Sequence, residues 1–310
     1  MIPRSIVRQN HNAQIGFFFI VAALLLLGQR TAFAQDPGPL KLTSPSGIAV
    51  DSENHIYVSD PTSNRIVYIS SMEEKEWLPC GGSGQAFKKT RMPLGIAVDS
   101  KGRIYFADAY QGEIVRLEDR TGEKWTALKN SAVSLALSGQ GDLIALSSRV
   151  MVFDSELKPL NGSYGKPGKG KGQFNNASGI AMDSGGRIYI ADTHNNRIVK
   201  IDDLSGSNWE TFGDQGIPTE QLRVPAGIAL DSQDRIYVAD SGNNRIVRID
   251  EMHGTNFLAY GRVGSDRGEF MSPFGIAIDS ADRIYVTDQL NNRIVRIDNM
   301  NGDNWRSLGD

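Results

Sequence analysis

The chain has 310 residues, of which 33 are Lys or Arg and 36 are Asp or Glu, so its formal net charge is −3. This acidic balance disfavours a general nucleic-acid binder, because such proteins gain affinity by neutralising phosphates. The 33 glycines indicate a chain with many turns, and the single cysteine excludes an intramolecular disulfide.

Residues 1–34 are predicted to form a signal peptide. Two arginines near the start provide a positive region, an apolar run covers residues 15–27, and Ala32-Phe33-Ala34 forms a small-residue cleavage site. The apolar run is shorter than the about 20 residues that cross a bilayer. We therefore expect an extracytoplasmic protein, periplasmic or secreted, with no stable membrane anchor after cleavage. An uncleaved anchor is the alternative.

After an N-terminal lead at residues 35–43, residues 44–310 repeat one pattern six times. Each unit contains three apolar runs of strand type and a short fourth run, which surrounds an aromatic residue in five units. Four strands at a period of about 45 residues are typical of a β-propeller blade. The sequence thus predicts an all-β fold, a six-bladed β-propeller with four antiparallel strands per blade. The glycines that precede the Ile-Ala pair of the first strand are Gly47, Gly95, Gly179, Gly227 and Gly275.

The units resemble NHL repeats. The fifth unit shows this best, with the segments Pro225 to Asp231, Arg235 to Asp240 and Asn244 to Ile246. The resemblance covers essentially the whole predicted mature chain and implies a six-bladed propeller. It implies little about function, because such folds serve as enzymes, sensors and binding platforms alike.

The third blade, at about residues 130–165, departs from the pattern and is degenerate. Ser138 and Ser147 replace two repeated aspartates, and three residues are missing before Arg149. This predicts a shorter loop that lowers the rim of one face. Decay of a tolerant repeat is the alternative.

Two series of repeated aspartates are interpreted as structural. Clustered carboxylates can bind calcium or act as acids and bases. A residue that occurs in nearly every blade is more simply explained by a shared need, such as holding the N–H groups of a loop. The repeated Arg65, Arg197, Arg245 and Arg293 are expected to pair with these acids or to pack between blades. The aspartates that end the second strand are Asp60, Asp108, Asp192, Asp240 and Asp288, and those that end the first are Asp51, Asp99, Asp183, Asp231 and Asp279.

Candidate ligand-binding residues lie where the units differ. The loops after the second strands and the loops that join one blade to the next are expected to share one face. Basic joining loops of this kind can attract an anionic partner, and a merely solvated loop is the alternative. The candidates from the first set of loops are Tyr110, His194 and Gln289. Those from the joining loops are Lys88, Lys89, Arg91, Lys166, Lys169 and Lys171.

The sequence shows no assembled catalytic set or metal site. A catalytic zinc normally needs three protein ligands, commonly His, and only His194 lies in a predicted mouth loop. The fold is similar to that of the peptidylglycine amidating lyases, whose zinc-binding His positions correspond to Asn196, Asn244 and Asn292 here. Similarity to the lactonase propellers, which use a central calcium, is weaker. Cys80 aligns with large apolar residues of the other outer strands, so we expect it to be buried and inert.

We therefore expect an exported NHL-repeat propeller that acts as a binding or scaffold module for a protein, peptide or glycan partner. This interpretation favours a non-enzyme and predicts no cofactor. The first alternative is a metal-dependent lyase or lactonase-like enzyme with a divalent metal at the channel mouth. The second is a ligand-sensing module. The acidic charge argues against nucleic acid as a partner.

Overall fold

The computed structural model describes residues 41–73, 77–80, 90–213 and 220–309. These residues form six four-stranded antiparallel sheets and two short parallel strand pairs, and they contain no α-helix. The predicted six-bladed β-propeller is thus confirmed. Within the same ranges, no helix is long and apolar enough to cross a membrane. The predicted signal peptide and the candidates Lys88 and Lys89 lie outside the described residues.

Each blade is built from four consecutive strands, numbered outward from the channel. Blades one and two contain β1 (Ile48–Val50), β2 (Ile56–Asp60), β3 (Arg65–Ile69), β4 (Leu78–Pro79), β5 (Pro93–Val98), β6 (Ile104–Asp108), β7 (Glu113–Leu117) and β8 (Trp125–Lys129). Blades three and four contain β9 (Ser134–Leu137), β10 (Leu143–Leu146), β11 (Val150–Phe153), β12 (Pro159–Tyr164), β15 (Gly179–Met182), β16 (Ile188–Asp192), β17 (Arg197–Ile201) and β18 (Glu210–Phe212). Blades five and six contain β19 (Pro225–Leu230), β20 (Ile236–Asp240), β21 (Arg245–Ile249), β22 (Leu258–Tyr260), β25 (Pro273–Ile278), β26 (Ile284–Asp288), β27 (Arg293–Ile297) and β28 (Arg306–Leu308).

The two parallel pairs lie in joining loops. One pair, β13 (Lys166–Pro167) with β14 (Gln173–Phe174), leads into blade four, and the other, β23 (Arg262–Val263) with β24 (Glu269–Phe270), leads into blade six. Both loops therefore have defined backbone structure.

Glycine opens the inner strands because neighbouring blades approach each other closely there. A Cβ atom on Gly227 would lie 2.5 Å from the carbonyl oxygen of Phe274 in the next blade, which is closer than any real contact. The corresponding atom on Gly275 would meet the carbonyl oxygen of Ser46 in blade one. Blade six therefore packs on blade one as the other blades pack on each other. Neither blade takes a strand from the other, since each sheet consists of consecutive strands.

The core lies between blades rather than at one centre. Successive clusters of buried aliphatic and aromatic residues each combine strands of two adjacent blades, so every sheet is covered on both faces. In the cluster that closes the ring, Tyr285 and Ile294 of blade six pack against Ile48 and Val58 of blade one.

An asparagine closes the loop between the second and third strands in four blades. Asn196 has φ of 54°, in the left-handed region that asparagine tolerates, and its side-chain oxygen accepts a hydrogen bond from the amide of Val224 at 2.8 Å. Asn64 and Asn244 bind Met92 and Ser272 of the next joining loop in the same way. Asparagine at this position thus ties one blade to the next.

The loop of blade three is shorter, as the sequence predicts. Leu146 ends the second strand and Val150 begins the third, and the amide of Ser147 donates to the carbonyl oxygen of Arg149 at 2.9 Å. Four other blades have a 3-10 turn and an asparagine at this point.

Candidate functional site

The aspartates that end the second strands form hydrogen bonds and ion pairs that stabilise the fold. Asp192 is fully buried, and its carboxylate accepts hydrogen bonds from the amide of Asn175 at 2.7 Å and from Nε of Arg197 at 2.8 Å. Burial raises the pKa of Asp192, although these hydrogen bonds oppose the shift. Asp240 and Asp288 pair with Arg245 and Arg293 in the same way. The predicted pairing of the repeated arginines with these acids is confirmed.

Each of these arginines also covers the ring of an aromatic residue that directly precedes the outer strand. The guanidinium carbon of Arg197 lies 5.5 Å from the ring centroid of Trp209. Arg245 and Arg293 lie 5.6 Å from the rings of Phe257 and Trp305. In blades four, five and six, the guanidinium is therefore enclosed between a buried carboxylate and an aromatic face.

The aspartates that end the first strands fix the hairpin turns. Asp183 accepts hydrogen bonds from the amides of Gly185 at 3.0 Å and Arg187 at 2.8 Å, and the hydroxyl of Tyr189 donates to it at 3.0 Å. Burial, followed by the charge of Asp183, raises the pKa of Tyr189. These groups are thus bound within the fold.

The loops after the second strands and the joining loops lie together, and we call the surface they form the loop-bearing face. The amide of His194 donates to the carbonyl oxygen of Asn175 at 3.0 Å, and the amide of Leu290 donates to that of Met271 at 3.1 Å. The structure thus brings together the two sets of loops from which the candidate residues were taken.

Exposed large apolar side chains are distributed unevenly among the described residues. Tyr110, Val263, Met271 and Leu290 belong to the loop-bearing face. Leu78, Leu160 and Leu258 lie on outermost strands, and the loops of the opposite face contribute none. The loop-bearing face is therefore the more apolar end of the propeller.

Arg91 and Tyr110 form an exposed pair on this face. The guanidinium carbon of Arg91 lies 5.2 Å from the ring centroid of Tyr110, which is 66 % exposed. The amide of Arg91 donates to the buried carboxylate of Asp108 at 2.9 Å, so the joining loop is fixed at this point. Two predicted candidates from different loops are thus in contact.

Lys166, Lys169 and Lys171 are exposed on the joining loop that contains β13 and β14. The backbone of this loop is held by blade four, because Nδ2 of Asn195 donates to the carbonyl oxygen of Gly168 at 2.9 Å. Within the part of the chain that the structure describes, none of the three lysines forms an ion pair. Their charges face solvent from a defined loop.

His194 and Gln289 are less accessible than their loop positions suggest. Nδ1 of His194 accepts a hydrogen bond from the side-chain amide of Asn176 at 3.0 Å, which leaves the ring proton on Nε2. Burial lowers the pKa of His194, and the charge of Asp192 opposes this shift. Gln289 is 7 % exposed. Both side chains therefore pack against other residues of the propeller and do not lie on the exposed part of the loop-bearing face.

Cys80 is buried, as predicted. It is 2 % exposed and packs among the apolar residues of blades one and two. Burial raises the pKa of its thiol to about 12. The thiol therefore stays protonated and is a poor nucleophile.

Among the described residues, the lining of the central channel has no set of ligands of the kind that divalent metals prefer. A cavity of about 70 Å³ is lined by glycines, aliphatic residues, Phe274 and the three serines Ser46, Ser134 and Ser178. The described residues contain no group of three or more His, Cys, Asp or Glu side chains that could hold a metal ion. The channel lining therefore does not fit the zinc or calcium that the alternative enzyme activities imply.

The sequence did not predict a broad groove that lies on the loop-bearing face. It has a volume of about 800 Å³ and is lined by Asn196, Arg223, Asn243, Arg262 and the exposed Val263, among others. The joining loops that contribute to it are near neutral, so no charge cluster marked them. The only sequence signal was the presence of Arg223 and Arg262 in two successive joining loops.

A family model described as the SMP-30/gluconolactonase/LRE-like region matches residues 93–308. The chain belongs to this family. A model of the NHL repeat matches residues 42–67, which confirms the predicted resemblance. This match supports the similarity to the lactonase propellers, which the sequence motifs indicate only weakly. No curated protein sequence matches the chain significantly.

Solved structures of family-like propellers include both enzymes and binding proteins. A virginiamycin B lyase from Staphylococcus aureus has 18 % identity and a TM-score of 0.59, with 87 % of each chain covered. A gluconolactonase from Xanthomonas campestris has 16 % identity and a TM-score of 0.61, with 80 % of this chain and 84 % of that chain covered. A chain of the nidogen/laminin complex has 16 % identity and a TM-score of 0.63, with 80 % and 90 % covered. At these identities the likeness shows the fold.

Proposed function

We propose that this propeller is a binding module that recognises a protein or peptide partner on its loop-bearing face. The observation that carries the proposal is the placement of its exposed apolar side chains. Four of them lie on this face and three on outermost strands, and the opposite loops of the described residues contribute none. Apolar exposure that is concentrated on one face is a feature of interaction surfaces.

The chemistry of the face supports an anionic partner. Arg and Tyr are the residue types enriched at the energetic centres of interfaces, and Arg91 and Tyr110 are already in contact. The exposed Lys166, Lys169 and Lys171 add unpaired positive charge on the same side. Positive charge of this kind speeds association with an acidic surface even when the whole chain is acidic. The likeness to a propeller of the nidogen/laminin complex is consistent with binding of a protein.

The proposal is tested by capturing a partner with the immobilised protein and comparing variants. Replacing Tyr110→Ala together with Leu290→Ala should lower affinity for the captured protein by about 30-fold, since loss of an interface anchor costs about 2 kcal/mol. Leu258→Ala on the outer strand of blade five removes a comparable exposed side chain and serves as the matched control. Equal capture by both variants would contradict the proposal.

The second candidate is an enzyme, and membership of the SMP-30/gluconolactonase/LRE-like family is the observation that favours it. Hydrolysis of a lactone or elimination from a cyclic ester would need an activating group, and the polar side chains among the described residues that line the channel cavity are those of Ser46, Ser134 and Ser178. Metal analysis of the purified protein, combined with assays of lactone opening, separates the two candidates. Stoichiometric metal that is required for turnover would establish the enzyme.

We also propose that the protein works outside the cytoplasm and needs no cofactor. The predicted signal peptide supports the first statement. Mass spectrometry of the protein recovered from cell fractions measures its N-terminus directly. A new N-terminus at Gln35 in the extracytoplasmic fraction is the expected result, and an intact N-terminus in the cytoplasm would contradict it.

A further inference from the structure

Blade five has no side chain at a position of the loop-bearing face where its sister blades carry a large one. The residue two places after the aspartate that ends the second strand is Gly242 in blade five. The larger Tyr110, His194 and Leu290 occupy this position in blades two, four and six. A Cβ atom on Gly242 would lie 2.6 Å from Cγ of Arg223 and 2.7 Å from its carbonyl oxygen. The glycine therefore allows Arg223 of the joining loop to pack directly on the loop of blade five.

The open space beside Gly242 belongs to the broad groove of the loop-bearing face, which we call the blade-five groove. Its volume is about 800 Å³, and its lining includes Gln221, Arg223, Gly242, Arg262 and Val263. This volume lies within the range of about 300–1,000 Å³ that is usual for ligand sites. The blade-five groove therefore has room for a short stretch of peptide.

Hydrogen bonds hold the walls of the blade-five groove in place. The amide of Arg223 donates to the buried carboxylate of Asp240 at 2.7 Å, and the amide of Gly242 donates to the carbonyl oxygen of Arg223 at 2.8 Å. Nδ2 of Asn243 donates to the carbonyl oxygen of Gln221 at 3.2 Å. Because the groove is formed before a ligand arrives, little ordering of the protein has to accompany binding.

Two asparagines of adjacent blades contribute hydrogen-bond donors to the blade-five groove. Asn196 and Asn244 both line it. Their Oδ1 atoms accept the amides of Val224 at 2.8 Å and Ser272 at 2.9 Å. A carboxamide whose oxygen is bound in this way still has two N–H donors on its nitrogen. In the part of the chain that the structure describes, neither Nδ2 atom forms a hydrogen bond, so these donors are available to a ligand.

The uncompensated positive charge of the blade-five groove is that of Arg223. Its side chain is exposed, and its guanidinium forms no ion pair among the residues that the structure describes. Two other arginines of the lining are already paired. Arg245 binds the carboxylate of Asp240 at 2.7 Å, and Arg262 binds that of Glu269 at 3.0 Å. The described residues that line the groove include no Asp or Glu side chain, so its charge and its donors both favour an anion.

We propose that the blade-five groove binds an extended acidic segment of the partner, with Arg223, Asn196 and Asn244 as donors to its carboxylates. This inference rests on the proposed function, since it names the part of a partner that the loop-bearing face recognises. A guanidinium binds a carboxylate through two parallel hydrogen bonds, which makes the contact specific as well as strong. In an extended chain every second side chain lies on the same face. Acidic residues at alternate positions of the segment therefore all face the lining of the groove.

The test is titration of the whole protein with a blocked hexapeptide of alternating Glu and Thr, and with the same peptide carrying Gln for Glu as the matched probe. Saturable binding of the acidic peptide that weakens with added salt, with no binding of the Gln peptide, is the expected result. Arg223→Gln should weaken this binding about tenfold, because hydrogen bonds between charged groups are lost. Arg149→Gln removes the same charge from the loop of blade three and should leave the affinity unchanged. Equal binding of both peptides, or an equal loss for both variants, would overturn the proposal.

A second variant fills the blade-five groove instead of changing its charge. Gly242→His introduces the residue that blade four has at this position and should abolish binding of the acidic peptide. An unchanged circular dichroism spectrum checks that this variant folds, and the exposed Arg223→Gln decides the question if it does not. Unaltered peptide affinity in a folded Gly242→His variant would overturn the proposal.

Capture of a partner protein separates this inference from the proposed function. Capture that weakens with Tyr110→Ala and Leu290→Ala but not with Arg223→Gln would retain the proposed function and overturn the blade-five groove as the site of the acidic segment. Peptide binding that depends on Arg223, in a protein whose capture of partners does not respond to the changes at Tyr110 and Leu290, would retain the groove. That second result would contradict the proposed role of the exposed apolar residues.

Discussion

The hydroxyl of Thr287 in blade six donates a hydrogen bond to the carbonyl oxygen of Ser46 in blade one, at 2.7 Å. The same hydroxyl accepts the amide of Gly275 at 2.7 Å, and the Thr287 side chain is fully buried. The two ends of the folded ring are therefore joined by a buried polar contact as well as by apolar packing. We therefore expect the interface between blades six and one to contribute to the cooperative stability of the ring.

Replacing Thr287→Val should lower the free energy of unfolding by about 2–4 kcal/mol. The change keeps the shape of the side chain but leaves a buried N–H and a buried carbonyl without their partner, at about 1–3 kcal/mol for each group. Urea unfolding followed by tryptophan fluorescence measures the effect. Thr126→Val, at an exposed position of β8, is the control and should change the free energy by less than about 0.5 kcal/mol. If Thr287→Val lowered the free energy of unfolding by no more than Thr126→Val does, the hydrogen bond between Thr287 and Ser46 would add nothing to stability.

Replacing Gly227→Ala should destabilise the propeller by about 1–3 kcal/mol, as overpacking of a tight interior does. The new Cβ would lie 2.5 Å from the carbonyl oxygen of Phe274 and 2.9 Å from the amide nitrogen of Ile276, and both are backbone atoms. Gly139→Ala is the matched control, because its Cβ would meet nothing within 4 Å. Thermal unfolding should show a lower midpoint for the first variant only, and similar midpoints would contradict the close-approach argument.

The sequence predicted the architecture and the structural use of the repeated residues because six copies of one pattern allow each position to be compared. The site was harder to predict. Tyr110 and Gln289 come from the same kind of loop, yet one is 66 % exposed and the other 7 %. The groove on the loop-bearing face brings together Asn196, Arg223 and Arg262, which are far apart in sequence. Such features depend on how separate segments pack together, and the pattern of residues along the sequence does not reveal this packing.

His194 should make the stability of the protein depend on pH. Burial lowers its pKa in the folded state below the ordinary value of about 6.5, so the unfolded chain binds the proton more tightly. Its contribution is therefore present above about pH 6.5 and is lost as the pH falls below that value. His194→Gln should show a smaller fall in Tm between about pH 7.5 and about pH 5.5 than the unaltered protein. His253→Gln, at an exposed turn, should leave the fall unchanged. An identical pH dependence for His194→Gln would contradict this.

Replacing Arg197→Met should be the most damaging of these changes, at about 3–5 kcal/mol, because it leaves the fully buried carboxylate of Asp192 without its cation. The loss should be measured by urea unfolding, with Arg149→Ala at an exposed position of blade three as the control.

Adding Asp192→Asn to the Arg197→Met variant should restore part of the stability, since the uncompensated charge is then removed. Failure of the second change to recover any stability would show that the arginine acts by packing on Trp209 rather than by neutralising Asp192. The comparison also bears on blade two. There Asp108 persists without an arginine because the amides of Arg91 and Gln111 satisfy its oxygens, and burial beside Glu113 raises its pKa.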